Sequence, residues 1–364
     1  MISPAAELLT VPPYSLAQCD KEAMLLPKLR DLTDHHRRHC RPYADLLDRV
    51  FTGAPEIRSL ADLPFFPVAL FKDHILKSVA DEDVVKVLTS SGTTGQKASR
   101  IHLDKETARL QSIVLIKLVQ HFIGTARLPM VILDFPGVVK DRASFSARGA
   151  GILGMAQFGH RPFYALREDL SLDLEGLRDY LQGTESAKVL LFGFTFMVWQ
   201  GLVQALEQSG ERVELGRGVL VHSGGWKKLQ DQAVSPEQFQ ARLQAVTGIR
   251  SVINFYGMVE QVGSVFFENP HHCLHAPIYS DIIIRNPTTL QPVPDGQPGL
   301  VQVLSCLPTS YPGHSLLTED IGVIRGVDDP ELEMKGKYFQ ILGRVPKAEI
   351  RGCSDTVEPA PGGP

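Results

Sequence analysis

Short apolar segments that alternate with helical patterns run through the middle of the chain, and this alternation limits the fold more than any other feature of the sequence. The apolar segments have the length of strands and lie at residues 83–88, 130–133, 188–192, 219–222 and 251–255. Strands that are separated by helices imply βαβ crossovers, in which neighbouring strands pair in parallel. The sequence therefore predicts an α/β fold with two mainly parallel, helix-flanked sheets.

Two of the predicted helices have well-marked starts. One begins after Asp104, which is predicted to be its N-cap, and extends to Phe122. The other begins at Ser235, Pro236 and Glu237, which combine a capping hydroxyl, a proline at the first helical position and an acid near the positive end of the helix. These local signals fix where both helices begin.

The pattern changes after Pro270, where short strands and Pro/Gly turns replace the alternation. We predict one large domain over residues 1–345, with α/β subdomains to about residue 270 and a small β-rich subdomain over about 271–345. Residues 346–364 are predicted to form a C-terminal tail. The last residues of that tail have too few apolar side chains to build a core, which is typical of a disordered segment.

Composition and charge argue against two classes of partner. The net charge of −4 gives no long-range attraction to nucleic acid or to an anionic membrane surface. The most apolar stretch, residues 189–203, contains Gly193, Thr195 and Gln200 and falls short of the roughly 20 apolar residues of a membrane span. Five cysteines without a C-x-x-C pair suit a reducing compartment, and the N-terminal residues lack the basic flank of a signal peptide. We therefore expect a cytoplasmic protein that binds neither nucleic acid nor membrane.

The strongest motif is the segment TSSGTTGQK, residues 89–97. Small residues let the backbone approach phosphate groups closely, and its N–H groups and hydroxyls donate to phosphate oxygens. It is not a Walker loop, because Lys97 stands five residues after Gly92, where that motif requires a second glycine. A Ser/Thr/Gly run of this kind also suits a plain turn, so its meaning depends on the segments that follow.

Further motifs follow this loop in a fixed order. They are HSGGWKK at 222–228, NFYGMVEQ at 254–261, LLTEDIG at 316–322 and ILGR at 341–344. Together with the loop they resemble the motif set of the adenylate-forming superfamily, which includes acyl-CoA synthetases, peptide-synthetase adenylation domains and luciferases. The phrases HSGGWKK and AEIRGCS are most similar to the acyl-protein synthetase family of bacterial bioluminescence and to the related adenylating enzymes of phenazine antibiotic biosynthesis. The resemblance extends from about Leu63 to Cys353.

The resemblance implies an enzyme, a ligase that activates a carboxylic acid as an acyl-adenylate with ATP and Mg²⁺. The acid would be fatty or aromatic, for example a phenazine carboxylate, and the product would pass to a thiol, an acyl-acceptor protein or a reductase partner. The implied fold is the large N-terminal domain of such enzymes, without their C-terminal lid domain. Neither the acid nor the oligomeric state follows from the sequence.

The resemblance also assigns residues that bind the phosphates and the metal ion. The β- and γ-phosphates would be bound by Ser90, Ser91, Gly92, Thr93, Thr94 and Gly95. Glu260 would be a catalytic residue whose carboxylate binds Mg²⁺, a hard cation suited to carboxylate and phosphate oxygens. An exposed acid at the end of a strand is the alternative reading of Glu260.

A second group of residues would bind the nucleoside: Gly224, Gly225, Tyr256, Gly257 and Asp320. Tyr256 would lie flat against the adenine, and the two glycines would let backbone approach the edge of the base. Asp320 would accept both ribose hydroxyls, although an Asp in TEDIG also suits a turn. Arg344 would be catalytic and contact the ribose or the α-phosphate.

The sequence departs from the superfamily pattern in three places. The chain ends about twenty residues after Arg344, so the lysine that the lid domain usually provides is expected to be absent. Pro346 stands where the hinge acid is common, and Ala98 stands where a lysine commonly closes the phosphate loop. Lys227 or Lys228 is a candidate to compensate, and a solvated position is the alternative for both.

Two segments that contain a cysteine are candidates for acyl transfer and for metal binding. By the resemblance, Cys353 would accept the acyl group from the adenylate, and the nearby Arg351 would favour its thiolate. A small buried side chain is the alternative for Cys353. The segment HHCLH, residues 271–275, has the residue types of zinc ligands, but they are more crowded than in a closed zinc site, and the sequence leaves a metal there open.

An apolar slot for the acyl group is predicted from Phe135, Phe158, Phe192 and Phe194. Aromatic residues beside strands also serve as ordinary core, and that alternative stands. Two alternative functions also stand: a coenzyme A ligase, which would form a thioester with added coenzyme A, and a non-catalytic protein that binds a nucleotide or an acyl-adenylate. Acid-dependent exchange of pyrophosphate into ATP separates an enzyme from a binding protein.

Overall fold

A computed structural model describes residues 8–51, 56–90, 98–139, 147–261 and 263–345, with the backbone alone for Ala147, Lys227, Lys228 and Gln230. The chain divides into two compact units. The split unit comprises the described residues of Met1–Phe122 and Tyr256–Glu349, and the central unit comprises the described residues of Ile123–Phe255. The subdomain boundary near residue 270 and the start of the tail at 346 stay predictions.

The helices and strands have the following bounds. The described α-helices are α1 (Gln18–His39), α2 (Arg41–Val50), α3 (Leu70–Asp73), α4 (Lys105–Ile123), α5 (Ala147–Ala156), α6 (Leu174–Gln182), α7 (Thr195–Val198), α8 (Ala205–Ser209) and α9 (Pro236–Thr247). The described strands are β1 (Phe66–Pro67), β2 (Val84–Thr89), β3 (Arg100–Asp104), β4 (Leu128–Ile132), β5 (Gly159–Tyr164), β6 (Val189–Phe194), β7 (Gly218–Ser223), β8 (Ser251–Tyr256), β9 (Phe266–Glu268), β10 (Leu274–His275), β11 (Ser280–Arg285), β12 (Gly299–Ser305), β13 (Ser315–Val327) and β14 (Lys337–Arg344). Among the described helices, none combines the length and the apolar character that a membrane crossing requires.

The central unit contains the parallel sheet that the alternation predicts. Its strands pair in parallel in the order β8-β7-β6-β4-β5. Every residue of β4 and β6 is buried, as expected for parallel strands that are covered on both faces. The apolar side chains of these strands pack with those of the flanking helices, including Trp199 and Phe239. The α/β class is confirmed.

Both predicted helix starts are confirmed. The Ser235 Oγ accepts a hydrogen bond from the Gln238 N–H at 3.3 Å, and the Gln238 side chain accepts one from the Ser235 N–H at 3.2 Å, so α9 begins with a capping box. The Asp104 Oδ1 accepts a hydrogen bond from the Thr107 N–H at 2.8 Å at the start of α4. The donors at the helix start that these side chains satisfy would otherwise lack partners.

The split unit contains the β-rich part, and its strands pair differently from those of the central unit. Antiparallel strands follow the order β11-β12-β13-β14-β10-β9, and the short β1 pairs in parallel with β13. β2 and β3 form a separate antiparallel pair. The strand predicted at residues 83–88 is therefore antiparallel and not part of a parallel sheet. The antiparallel strands after Pro270 form the β-rich part that the sequence predicted.

The long helix α1 contributes Lys21 to a buried cluster of charged side chains in the split unit. Lys21 Nζ lies 3.7 Å from Asp281 Oδ1, and Lys337 Nζ lies 3.4 Å from the same oxygen. Burial acts to raise the pKa of the Asp281 carboxyl, but the charges of Lys21 and Lys337 outweigh it and lower that pKa. These buried charges are paired, as buried charges in folded proteins must be.

Candidate functional site

The carboxylate of Asp320 is shared by two side chains that the sequence assigned to the same nucleotide. Tyr256, at the end of β8, donates from its hydroxyl to Asp320 Oδ2 at 2.6 Å. Arg344, at the end of β14, lies opposite Asp320 in the sheet, and its Nε donates to Asp320 Oδ1 at 3.1 Å. The structure therefore brings three predicted site residues from three strands into one hydrogen-bonded group. We call Tyr256, Asp320 and Arg344 the carboxylate triad.

The Asp320 carboxylate raises the pKa values of both side chains that donate to it. Burial, and then the negative charge of Asp320, raise the pKa of the Tyr256 hydroxyl well above its ordinary value, so it stays protonated and donates. Burial acts to lower the pKa of the Arg344 guanidinium, but the neighbouring Asp320 carboxylate outweighs it and raises that pKa. Each carboxylate oxygen has two acceptor positions, so Asp320 keeps capacity for further donors after both bonds are made.

The backbone around Asp320 is fixed by close packing. The Thr318 hydroxyl accepts from the Asp320 N–H at 3.1 Å and donates to the Val301 carbonyl at 2.8 Å. The pairing of β13 with β14 shifts register between Ile321 and Gly322. A Cβ at Gly322 would lie 2.6 Å from Val301 Cγ2 and 2.9 Å from the Gln340 carbonyl oxygen, so only glycine fits there. The packing around Gly322 thus requires a glycine two residues after Asp320, the aspartate that is predicted to bind ribose.

Glu260 lies in the 3₁₀ turn Val259–Gln261 and is buried, with 8% of its surface exposed. The Gln261 Nε2 anchors this turn by donating to the Gly313 carbonyl at 2.9 Å and to the Val303 carbonyl at 3.2 Å. Burial raises the pKa of the Glu260 carboxyl, while the Ser99 hydroxyl and the charges of Lys72 and Arg344 act in the opposite direction. The alternative of an exposed acid at a strand end is therefore wrong.

The Ser/Thr/Gly loop is closed at its base by two serines of the split unit. The Ser90 N–H donates to the Ser99 carbonyl at 3.2 Å, and the Ser99 N–H donates to the Ser90 Oγ at 2.8 Å. The strand β3, which follows Ser99, contacts the turn that holds Glu260. Residues 91–97, which include the predicted phosphate ligands Ser91, Gly92, Thr93, Thr94 and Gly95, lie outside the described residues.

The HSGGW segment occupies the carboxyl end of β7 in the central unit. The Ser223 Oγ donates to the Phe255 carbonyl at 2.8 Å, and the Thr195 Oγ1 lies 2.9 Å from His222 Nδ1. Gly224 has a φ of +84°, a left-handed conformation that other residues adopt only with strain. Gly225 is exposed, and a Cβ there would meet nothing within 4 Å, so packing does not by itself require a glycine at this position. The roles of Gly224 and Gly225 at the base stay predictions.

The predicted acyl residues surround α5 in the central unit. Phe192 and Phe194 pack edge to face at 6.0 Å, and a Cβ at Gly151 of α5 would lie 3.1 Å from the Phe194 Cζ. Phe158 is buried, and Phe135 is half-buried. The fully buried Phe192 belongs to the core. Phe135, Phe158 and Phe194 stay predictions as acyl contacts.

An ion pair beside Phe135 was not predicted. The Arg148 Nε lies 3.0 Å from Asp134 Oδ2, and the Arg148 guanidinium lies 5.7 Å from the centre of the Phe135 ring. Burial raises the pKa of the Asp134 carboxyl to about 6, although the charge of Arg148 opposes it. The only sign of this ion pair in the sequence was that Asp134 directly precedes Phe135.

The HHCLH segment does not converge on one point. His271 faces Asp329 at 3.8 Å, whereas His272 faces Glu268 at 3.3 Å. His275 Nε2 lies 3.0 Å from the Lys335 carbonyl oxygen. Within the described ranges, no three His, Cys, Asp or Glu side chains are grouped so that they could hold a metal ion.

Several further predictions concern residues or side chains that the structure does not describe. Cys353, Arg351 and Pro346 lie beyond residue 345, the last one described. The side chains of Lys227 and Lys228 are also not described. The roles predicted for these residues therefore stay predictions.

Comparisons with known proteins identify first the fold and then the family. A crystal structure of 2-hydroxyisobutyryl-CoA ligase in an open conformation, in complex with 2-HIB-AMP and CoA, superposes with a TM-score of 0.68 at 15% identity and covers 92% of this chain and 77% of that chain. The fold is that of the large domain of adenylate-forming enzymes, as the sequence predicted.

Proteins with similar sequences indicate the family to which the chain belongs within this fold. A long-chain-fatty-acid–luciferin-component ligase of Vibrio harveyi is 26% identical over 335 residues, which cover 88% of this chain and 83% of that protein. A protein of the same name from Aliivibrio fischeri is 23% identical over 310 residues, which cover 82% and 78%. The family model described as acyl-protein synthetase, LuxE, matches residues 5–360. The chain therefore belongs to the acyl-protein synthetase family and is an enzyme, an acid-activating ligase.

The bond from Tyr256 to Asp320 gives a first testable prediction. Tyr256→Phe removes a hydrogen bond to a charged acceptor and should lower the free energy of unfolding of the split unit by about 1.5–3 kcal/mol. Urea denaturation followed by far-UV circular dichroism measures it, while the fluorescence of Trp199 and Trp226 reports the central unit.

A second tyrosine supplies the matched control. The Tyr338 hydroxyl donates to Asp329 Oδ2 at 2.9 Å in the same unit, but the Asp329 side chain is 22% exposed, against 10% for Asp320. Tyr338→Phe should therefore cost less than Tyr256→Phe. Equal stability of the wild type and the Tyr256→Phe variant would contradict the role of the bond.

Proposed function

We propose that this enzyme uses ATP and Mg²⁺ to convert a fatty acid into an acyl-adenylate and then passes the acyl group to a thiol. The observation that carries the proposal is the carboxylate triad, because it joins residues of the motifs TEDIG, NFYG and ILGR at one acceptor group. Membership of the acyl-protein synthetase family supports the reaction type. The names of both relatives, which are long-chain-fatty-acid ligases, support a fatty acid over an aromatic one.

The nucleoside would be recognised by polar groups whose positions the sheet fixes. Asp320 would accept hydrogen bonds from both ribose hydroxyls with the acceptor positions that Tyr256 and Arg344 leave. The ring of Tyr256, tilted at 6.2 Å from Phe266, would give the adenine an apolar contact. Gly224 and Gly225 would let backbone approach the base, and Gly257 would bind the nucleotide next to Tyr256 in the chain.

Glu260 fits the role of a magnesium ligand. Its carboxyl is buried and its pKa is raised by that burial, so a bound cation would offset the cost of its charge. Carboxylate and phosphate oxygens are the ligands that Mg²⁺ prefers in nucleotide sites. When bound, the ion neutralises phosphate charge. Ser90 and the loop residues to Gly95 would donate to the β- and γ-phosphates.

The reaction joins two anions and then transfers an acyl group. A carboxylate oxygen of the acid attacks the α-phosphorus of ATP, the bond from that phosphorus to the bridging oxygen breaks, and pyrophosphate leaves. A thiolate then attacks the acyl carbon, a thioester forms and AMP leaves. We propose Cys353 as the thiol, and an acyl-acceptor protein or a reductase as the partner that takes the acyl group from it. Phe135, Phe158 and Phe194 would contact the acyl chain.

The role of Glu260 can be separated from nucleotide binding in general. Glu260→Gln keeps the size of the side chain and removes its charge, so we expect acid-dependent exchange of labelled pyrophosphate into ATP to fall about 100-fold or more. Binding of an acyl-sulfamoyl adenosine, which lacks the pyrophosphate, should change little when measured by calorimetry.

Glu268→Gln is the matched control, because Glu268 is another acid of the split unit that pairs with His272 and has no proposed role in catalysis. It should retain the exchange rate. Equal losses of exchange and of analogue binding in Glu260→Gln would make Glu260 a structural residue.

The proposed transfer of the acyl group to Cys353 can be detected separately from adenylate formation. With ATP and hexadecanoic acid, the protein should acquire a covalent label that hydroxylamine removes, because hydroxylamine cleaves thioesters. Cys353→Ser should abolish the label and leave pyrophosphate exchange intact. Cys19→Ser is the control for an exposed cysteine and should keep the label.

Two results would contradict this step. Labelling that persists in Cys353→Ser excludes Cys353 as the acceptor. A thioester that forms only when coenzyme A is added would instead favour a coenzyme A ligase.

A further inference from the structure

Lys72 lies in the split unit and follows a strand that pairs with β13, the strand that contains Asp320. The strand β1 pairs with β13 so that Phe66 lies opposite Leu316, and the Val68 N–H donates to the Leu317 carbonyl at 2.9 Å. The short helix α3, which contains Lys72, begins directly after this pairing. The backbone of Lys72 is therefore positioned by the same strand that carries Asp320.

The segment of Lys72 is also packed toward the turn that holds Glu260. Phe71 is buried, and its ring meets the ring of Tyr311 edge to face at 6.0 Å. A Cβ at Gly313 would lie 2.2 Å from Tyr311 Cε2 and 3.0 Å from the Glu260 carbonyl oxygen. Tyr311 thus contacts α3, and Gly313, two residues further along the chain, contacts the Glu260 turn.

A second path joins the same two elements. The strand β3 contacts α3 and also contacts the turn Val259–Gln261. The residue before β3 is Ser99, which is fully buried and closes the base of the Ser/Thr/Gly loop with Ser90. The helix α3, the Glu260 turn and the base of the loop consequently all lie against or next to β3.

The positive charges of Lys72 and Arg344 both act to lower the pKa of the Glu260 carboxyl. Of the two, Arg344 forms an ion pair with a described acid. Arg344 already contacts the Asp320 carboxylate at 3.1 Å. Lys72 is half-buried and acts on the Glu260 carboxyl through space, without an ion pair to any residue that the structure describes. A lysine that served only to stabilise the fold would be expected to pair with its neighbouring acid. Among the described residues, the ammonium group of Lys72 is therefore not held in an ion pair and can contact an anion from solution.

We propose that Lys72 is a catalytic residue that contacts the two reacting anions, the carboxylate of the acid and the α-phosphate of ATP, while the acyl-adenylate forms. This inference rests on the proposed function. As the carboxylate oxygen bonds to phosphorus, negative charge grows on the α-phosphate oxygens, and a fixed ammonium stabilises that charge. Lys72 forms no covalent bond and transfers no proton, so pyrophosphate remains the only leaving group of this step.

The experiment compares three variants of the full chain in pyrophosphate exchange with ATP and hexadecanoic acid. Lys72→Met should lower the exchange rate by about 100-fold or more, the cost of losing one group that stabilises developing charge. Lys72→Arg should retain a measurable part of the rate, because it keeps the charge with a different shape. Lys77→Met is the matched control, since Lys77 pairs with the exposed Asp81 in the same segment, and it should match the wild type.

Two further readouts separate a catalytic from a structural role. Calorimetric affinity for ATP should change less than about threefold in Lys72→Met, because the proposed contact forms in the transition state. Transfer of the acyl group from added acyl-AMP to hydroxylamine should likewise change far less than the exchange rate. Far-UV circular dichroism confirms that each variant is folded.

The outcomes are distinct. Exchange by Lys72→Met within threefold of the wild type overturns the inference while the proposed function stands. Equal losses of ATP affinity, exchange and transfer also overturn it, because they indicate a structural lysine. If the wild type shows no acid-dependent exchange with any acid tested, the proposed function fails and the role of Lys72 fails with it.

Discussion

The hydrogen bonds of Tyr256 and Arg344 to the two oxygens of Asp320 are the constraint on which the rest of the site depends. A largely buried carboxylate is costly unless donors satisfy it, and these two donors come from the ends of different strands. The register of β13 with β14 must therefore place Asp320 opposite Arg344. The close approach at Gly322 and the Thr318 hydroxyl keep that register in place.

Around this carboxylate the split unit collects groups suited to the anions of ATP chemistry. Glu260 is a buried acid that favours a bound cation, and Lys72 carries a positive charge that no described acid neutralises in an ion pair. Phe71, next to Lys72, packs on Tyr311, Gly313 closely approaches the Glu260 carbonyl, and both α3 and the Glu260 turn contact β3. Packing and strand contacts of the split unit thus position the residues that we propose as the acceptor for the ribose hydroxyls, the ligand of the metal ion and the cation for the α-phosphate.

The sequence was sufficient where the signal is local and insufficient where it is not. The strands of the central unit and the caps at Ser235 and Asp104 could be predicted, because hydrophobic runs and capping side chains act over a few residues. Tyr256 and Asp320 could be named from the order of their motifs, but their bond joins residues 64 apart and depends on pairing that no local pattern specifies. Lys72 was missed for the same reason, since only tertiary packing brings it near Glu260.

The measurement that tests the central claim most directly is calorimetric titration of ATP into a folded Asp320→Ala variant, beside the wild type and Asp329→Ala. If Asp320 accepts the ribose hydroxyls, its loss should weaken ATP binding by about 1.5–3 kcal/mol. Asp329→Ala removes the other tyrosine-bound carboxylate of the split unit and should leave the affinity unchanged. Unchanged affinity of Asp320→Ala for ATP would remove the carboxylate triad from the nucleotide site and contradict this account.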